Sequence, residues 1–189
     1  MVYDDIKLKK VEKFSLYLFK EWGIDSILKI QKILFFLRVY EKKMHLYEEK
    51  ESDVFSDSPI FDKGNHNFQA WMYGPVNIVS YYFMRLKLYS NEQESNDDTL
   101  IELKDDIKKG TFNKYKSIIS NLKDMDSQEL IEISHHNHEY KRVRGNLDVL
   151  EPCKEVLDEN SEGFKIFDDK FNTKVNEIFC IENDCNDNK

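Results

Sequence analysis

The stretch between residues 26 and 47 restricts the fold more than any other part of this chain. Ile27, Ile30, Leu34 and Leu37 recur at intervals of three and four, the period of one helix face. Leu28, Phe35, Phe36 and Val39 carry apolar cover around the rest of the circumference. Such a helix has no side to offer to water, so other elements have to pack around it. The sequence therefore predicts a central helix over 26–47, its free amides capped by Asp25 or Ser26.

Helical spacing continues on both sides. Leu8, Val11, Phe14, Leu18 and Trp22 predict a first helix that ends at Gly23, since glycine tolerates the left-handed conformation common at helix ends. Leu100, Leu103 and Ile107 predict a weaker helix stopped by Gly110, and Tyr115, Ile118, Ile119 and Leu122 predict another. Asp126 followed by Glu129 is a capping-box variant opening a helix through Leu130 and Ile133. Phe164, Phe167, Phe171, Val175 and Ile178 predict a last helix. Residues 48–57 and 90–98 are polar loops, and 183–189 is a polar tail expected to fray.

In the middle of the chain the period changes. Ile60 and Phe61, then Phe68, Ala70, Trp71 and Tyr73, flank a turn-rich DKGNHN segment, which predicts a small hairpin of two extended pieces. Gly74-Pro75 predicts the opening of a third helix, because proline suits the first helical position. Val79, Tyr82, Phe83 and Leu86 are its expected buried stripe. The fold class that follows is mainly α: a single helical domain around the central hydrophobic helix, with a small β-hairpin insert. Residues 1–150 are expected to form it, and 151–189 a C-terminal extension with one helix and a frayed acidic tail.

Composition excludes some functions. An apolar share of 40% rules out global disorder. With 36 Asp+Glu against 28 Lys+Arg, the net charge is −8, the wrong sign for non-specific nucleic-acid binding. The longest unbroken apolar run, from Ile33 to Leu37, is far short of a membrane span, and the first residues form no signal peptide. Cys153, Cys180 and Cys185 are odd in number and contain no CxxC pair, so neither a disulfide framework nor a zinc knuckle is expected. A cytoplasmic protein without membrane contact is the expectation.

Chemistry-bearing residues gather at Ser134-His135-His136-Asn137-His138-Glu139. On a continuous helix His135 and His138 share a face and His136 points away. A structural metal site needs four ligands and no H-E-x-x-H pattern is present, so no metal or cofactor is expected. A histidine-rich helix end, with imidazoles bonding terminal carbonyls, is the plainer reading. A metal-dependent hydrolase using His135 and His138 is an alternative, as is a nucleic-acid-binding regulator using Lys141, Arg142 and Arg144. Such basic clusters are more often a solvated face. With no G-x-S-x-G, phosphate-binding loop or G-x-G-x-x-G, neither catalytic residues nor an enzyme is expected. Trp71-Met72-Tyr73-Gly74-Pro75-Val76 is the most constrained segment. Trp71 and Tyr73 are expected to pin the hairpin to the central helix, the alternative being that one of them lines a contact site.

Three of these segments together resemble a known family. Leu28-Lys29-Ile30-Gln31-Lys32-Ile33-Leu34-Phe35-Phe36, Pro59-Ile60-Phe61-Asp62 and Phe68-Gln69-Ala70-Trp71-Met72-Tyr73-Gly74-Pro75-Val76 are similar to the KLQKLLYF-like, PLF-like and AWKYGPV-like motifs of the phage-associated Panacea antitoxin domain. Leu130, Ser134, His135, Tyr140 and Arg144 look like that family's tail, with Tyr140 where tryptophan is more usual. The chain departs from the pattern in the insertion EEKESDVFSDS and after Leu150. The resemblance implies a mainly helical domain that neutralises a cognate toxin by binding it. In one branch the domain instead hands the toxin to a protease as an adaptor. It marks Trp71, Tyr73, Gly74, Pro75, His135, Tyr140 and Arg144 as motif or partner-binding positions. Many members carry a separate DNA-binding segment; no helix-turn-helix is evident here.

Overall fold

A computed structural model of the chain describes residues 9–44, 60–61, 67–89, 103, 107, 109–145, 157–158 and 161–179. Among these the order is α1 (Lys10–Lys20), α2 (Ile27–Lys43), β1 (Phe68–Trp71), β2 (Gly74–Asn77), α3 (Ile78–Tyr89), α4 (Lys109–Lys123), α5 (Ser127–His135), α6 (His138–Arg144), a 3-10 turn (Glu162–Lys165) and α7 (Asp169–Phe179). The protein is mainly helical with one two-stranded antiparallel sheet. The expected loops at 48–57 and 90–98, the tail at 183–189 and the three cysteines lie outside the described residues.

The central helix is α2, and it is enclosed as its composition requires: every residue from Ile30 to Glu41 is buried. Ser26 caps it by accepting from the Lys29 amide at 3.3 Å. Aromatic rings on α2 join the surrounding elements edge to face. Phe35 meets Phe68 of β1 at 5.9 Å and Phe164 of the 3-10 turn at 5.6 Å. Tyr40 meets Tyr115 of α4 at 6.3 Å and Phe179 of α7 at 5.5 Å. Residues from the C-terminal stretch thus share the core with the first half of the chain.

Polar side chains of α2 are buried too, and each has partners. Gln31 accepts from the Asn77 amide at 2.8 Å and donates to Ser80 Oγ at 3.0 Å. Ser80 in turn lies 2.7 Å from Ser15 Oγ. That chain of bonds ties α1, α2, β2 and α3 together and satisfies groups that would be costly to bury alone. Glu41 accepts from the Tyr115 hydroxyl at 2.6 Å and from the Ile60 amide at 2.8 Å. Burial, and then the Glu41 carboxylate beside it, push the Tyr115 phenol well up.

Several sequence expectations change in detail. The hairpin pairs Phe68–Trp71 with Gly74–Asn77, in the register Phe68 to Asn77 and Trp71 to Gly74. Ile60 and Phe61 are buried but belong to no strand among the described residues. Gly74-Pro75 accordingly opens a strand and not a helix. Gly74 has φ +97, incompatible with a right-handed helix, and the turn at Met72–Tyr73 uses that conformation. Helix α3 starts at Ile78 instead, with the Asn77 side chain accepting from the Ser80 amide at 3.0 Å. Its expected stripe is turned partly outward: Tyr82 is 57% exposed and Leu86 72%, while Ser80 and Met84 are fully buried. Gly110 lies in the first turn of α4, and most of the weaker helix expected over Leu100–Ile107 lies outside the described residues. Phe164 and Phe167 precede α7, which begins at Asp169. Asp126 does cap α5, accepting from the Gln128 amide at 2.6 Å. Gly23 takes the left-handed conformation, at φ +64.

Candidate functional site

The hairpin turn, the middle of α2 and the corner between α5 and α6 meet at one place. Helix α5 ends at His135, His136 is its C-cap, and Asn137 caps α6 by accepting from the Tyr140 amide at 3.0 Å. The helix is therefore broken inside the histidine run. This corrects the expected facing: His135 turns one way, while His136 and His138 turn the other.

On the first side, the His135 ring stacks on Tyr140 with centroids 4.8 Å apart and planes 9° from parallel. The Tyr140 hydroxyl donates to the Trp71 carbonyl at 2.9 Å, and His135 Nε2 lies 3.2 Å from that hydroxyl. Burial, and then the nearby Lys32 charge, lower the His135 pKa to about 4, so the ring is neutral at neutral pH.

Lys32 stands behind the hairpin. It is wholly buried, and Nζ donates to the Pro75 carbonyl at 3.1 Å. No ion pair forms with it among the described residues, and desolvation lowers its pKa to about 7. Gly74 admits this approach. A Cβ there would lie 2.5 Å from Ser134 Oγ and 2.7 Å from Lys32 Nζ, far inside contact distance. The Ser134 hydroxyl is itself committed to the Ile131 carbonyl at 2.8 Å.

On the outer side of this cluster lies a cavity of about 610 Å³. Ile27, Leu28 and Val76 form apolar wall, Trp71 and Tyr81 aromatic wall, and Lys32 and Arg85 contribute the cations. The described residues lining it include no carboxylate. Trp71 is half-buried; its indole donates to Gln69 Oε1 at 2.9 Å and its ring packs against Tyr81 at 4.9 Å. Tyr81 packs against Tyr82 at 5.5 Å, so aromatic surface runs from the cavity onto the exposed face of α3. Tyr73 is 56% exposed and so pins nothing to the central helix, contrary to expectation.

The second side of the corner is an ion-pair cluster. Asp168 accepts from His136 Nδ1 at 2.8 Å and from Lys141, and lies 3.1 Å from His138 Nε2. The lysine and then His136 hold its carboxyl down at about 2. Arg142 makes a two-pronged pair with Glu139, at 2.6 and 3.0 Å. Two members of the expected basic patch are thus engaged within the chain. Arg144 is half-buried, and its charge also depresses His135. No group of His, Cys, Asp or Glu among the described residues has the arrangement of a metal site.

Of the seven motif positions, Trp71, Gly74, Pro75, His135 and Tyr140 converge, Tyr73 projects outward, and Arg144 lies at the margin. Lys32, Tyr81 and Arg85 were not singled out by sequence reasoning. The available signal for Lys32 was a cation in the middle of a helix too apolar to keep any face in water. No helix among the described residues is long and apolar enough to cross a membrane. Compared with protein-family models, curated proteins and solved structures, the chain matches none.

Proposed function

We propose that this protein is an antitoxin-like binding module that neutralises a cognate toxin by direct contact or by delivering it to a protease. The observation that carries the reading is the continuous aromatic surface from Trp71 through Tyr81 to exposed Tyr82, with Leu86 one helical turn further at 72% exposure. Large apolar side chains held out on a rigid helix lose little entropy on docking and supply most of the affinity at protein interfaces. The net charge of −8 would steer the chain toward a basic toxin surface and raise the rate of encounter. The motif resemblance supports the same reading.

Expressing the neighbouring gene alone is expected to arrest growth, and co-expressing this chain to relieve the arrest. Tyr82→Asp with Leu86→Asp should abolish the relief without moving the melting temperature, since both side chains already face water. A fall in toxin half-life that requires a protease would select delivery over occlusion. An inert neighbour, with no partner recovered from extract, overturns the proposal.

A further inference from the structure

The cavity beside Trp71 is bounded by hydrocarbon and by polar side chains that are already engaged. Its volume of about 610 Å³ lies within the range of small-molecule sites. Ile27 and Leu28 supply aliphatic wall and are only half-buried, although they open the most enclosed helix of the fold. Trp71 and Tyr81 supply aromatic wall, with ring centroids 4.9 Å apart and planes 65° from parallel. Gln31 is held by the Asn77 amide and Ser80 Oγ. The Trp71 indole donates to Gln69, and the Tyr81 hydroxyl accepts from Arg85 at 3.4 Å. Lys32 has no exposed surface and donates to the Pro75 carbonyl behind the hairpin. Recognition in this cavity therefore falls to shape and to the faces and edges of the rings. Apolar wall left open to water is a cost that a ligand of like chemistry relieves.

We infer that the cavity is a binding site for a small, flat, uncharged aromatic molecule of about two fused rings. A planar ring system lying against Ile27 and Leu28 presents its face to one of the Trp71–Tyr81 pair and its edge to the other. That is the arrangement aromatic quadrupoles prefer. Because the two wall rings are tilted 65° apart, a puckered saturated ring of the same size fills the space without matching both. An anion gives up its hydration and finds Lys32 sealed off and Arg85 engaged. A cation is disfavoured by the Arg85 charge in the lining. Neutral aromatics are the class that these walls suit. The site adjoins the α3 face proposed for toxin docking and does not depend on that face being used.

The test titrates the full chain with 2-naphthol, its saturated counterpart decahydro-2-naphthol, and the anion 2-naphthoate. Binding is followed by the Trp71 indole N–H resonance, assigned with a Trp71→Phe variant. 2-Naphthol is expected to move that resonance and to bind about fivefold more tightly than decahydro-2-naphthol, the worth of well-placed ring contacts. 2-Naphthoate is expected to bind more weakly than 2-naphthol. Tyr81→Leu keeps an apolar wall without the ring; it should bring 2-naphthol and decahydro-2-naphthol to within about twofold while both still bind. Leu28→Trp adds bulk to the cavity from a half-buried position and should abolish binding of both with the melting temperature held. Equal affinities for the flat and saturated probes, tighter binding of 2-naphthoate, an undiminished preference in Tyr81→Leu, or an indole resonance unmoved at millimolar 2-naphthol would each overturn the inference. Relief of toxin arrest is scored separately, so a chain that protects cells but ignores the naphthalene probes fails only the present claim.

Discussion

The Tyr140 hydroxyl donates to the Trp71 carbonyl across 2.9 Å, linking residues 69 positions apart and clamping the hairpin to the α5–α6 corner. The same ring is the platform on which His135 stacks. Tyr140→Phe retains the stack and removes the clamp. It is expected to cost about 1 kcal/mol, the net worth of one such bond. Faster amide exchange in residues 68–77 than elsewhere would locate the loss at the hairpin; uniform exchange would show that the bond does not hold it.

Gly74 and Gly23 both have positive φ but differ in surroundings. A Cβ at Gly23 meets nothing within 4 Å, so Gly23→Ala should cost only the backbone term, roughly 1–2 kcal/mol. At Gly74 the new methyl collides with Ser134 and Lys32 as well. Gly74→Ala is expected to cost about 3 kcal/mol or more in total. Equal melting temperatures for the two variants would contradict the close approach.

Lys32 makes stability depend on pH in the alkaline range. The unfolded lysine keeps its proton to about pH 10.5, whereas the folded one releases it near 7. The unfolded state therefore binds more protons between these values, and stability rises with pH across that window. Below pH 7 both states are charged and the burial cost is felt in full. Lys32→Met should accordingly stabilise the chain most at pH 6, on the order of a few kcal/mol. The advantage should be small by pH 10, as read from urea midpoints.

His135 acts in the acid range. Its folded pKa of about 4 lies below the ordinary 6.5, so the unfolded chain takes up the proton first as pH falls. Stability contributed by the neutral ring is present above pH 6.5 and is lost progressively toward pH 4. His135→Phe preserves an aromatic stack on Tyr140 and removes the titration. Its urea midpoint should vary less than that of the native chain between pH 7 and 4, and an unchanged slope would rule out His135 as the source.

How much of this was legible in the sequence differs from element to element. α2 could be read because apolar residues all round a helix force enclosure whatever the partners are. Tyr115, Ile118, Ile119 and Leu122 could be read for a related reason, since a single buried face has a period visible within one segment. The hairpin was displaced because Gly74-Pro75 fits a helix start and a strand start equally well in local terms. The choice was made by Asn77, whose amide and side chain are engaged by Gln31 and Ser80. Tyr82 and Leu86 were misassigned because spacing identifies an apolar stripe but not whether anything in the chain covers it.

The candidate site divides in the same way. Residues from Trp71 to Pro75 were marked by constrained local geometry, the histidine run by residue type, and Tyr140 only by the motif resemblance. That they touch, that the helix breaks at His136 and Asn137, and that His136 and His138 share Asp168 came only with the folded chain. What the sequence by itself determined was the helical class, the identity of the hub and the presence of a core, because burial follows from hydrophobic periodicity within short windows. What only the tertiary structure decided was which polar groups were left facing one another inside it. Lys32 meets Pro75 across 43 positions, and a pairing so distant is set by how whole elements pack, on which local spacing is silent.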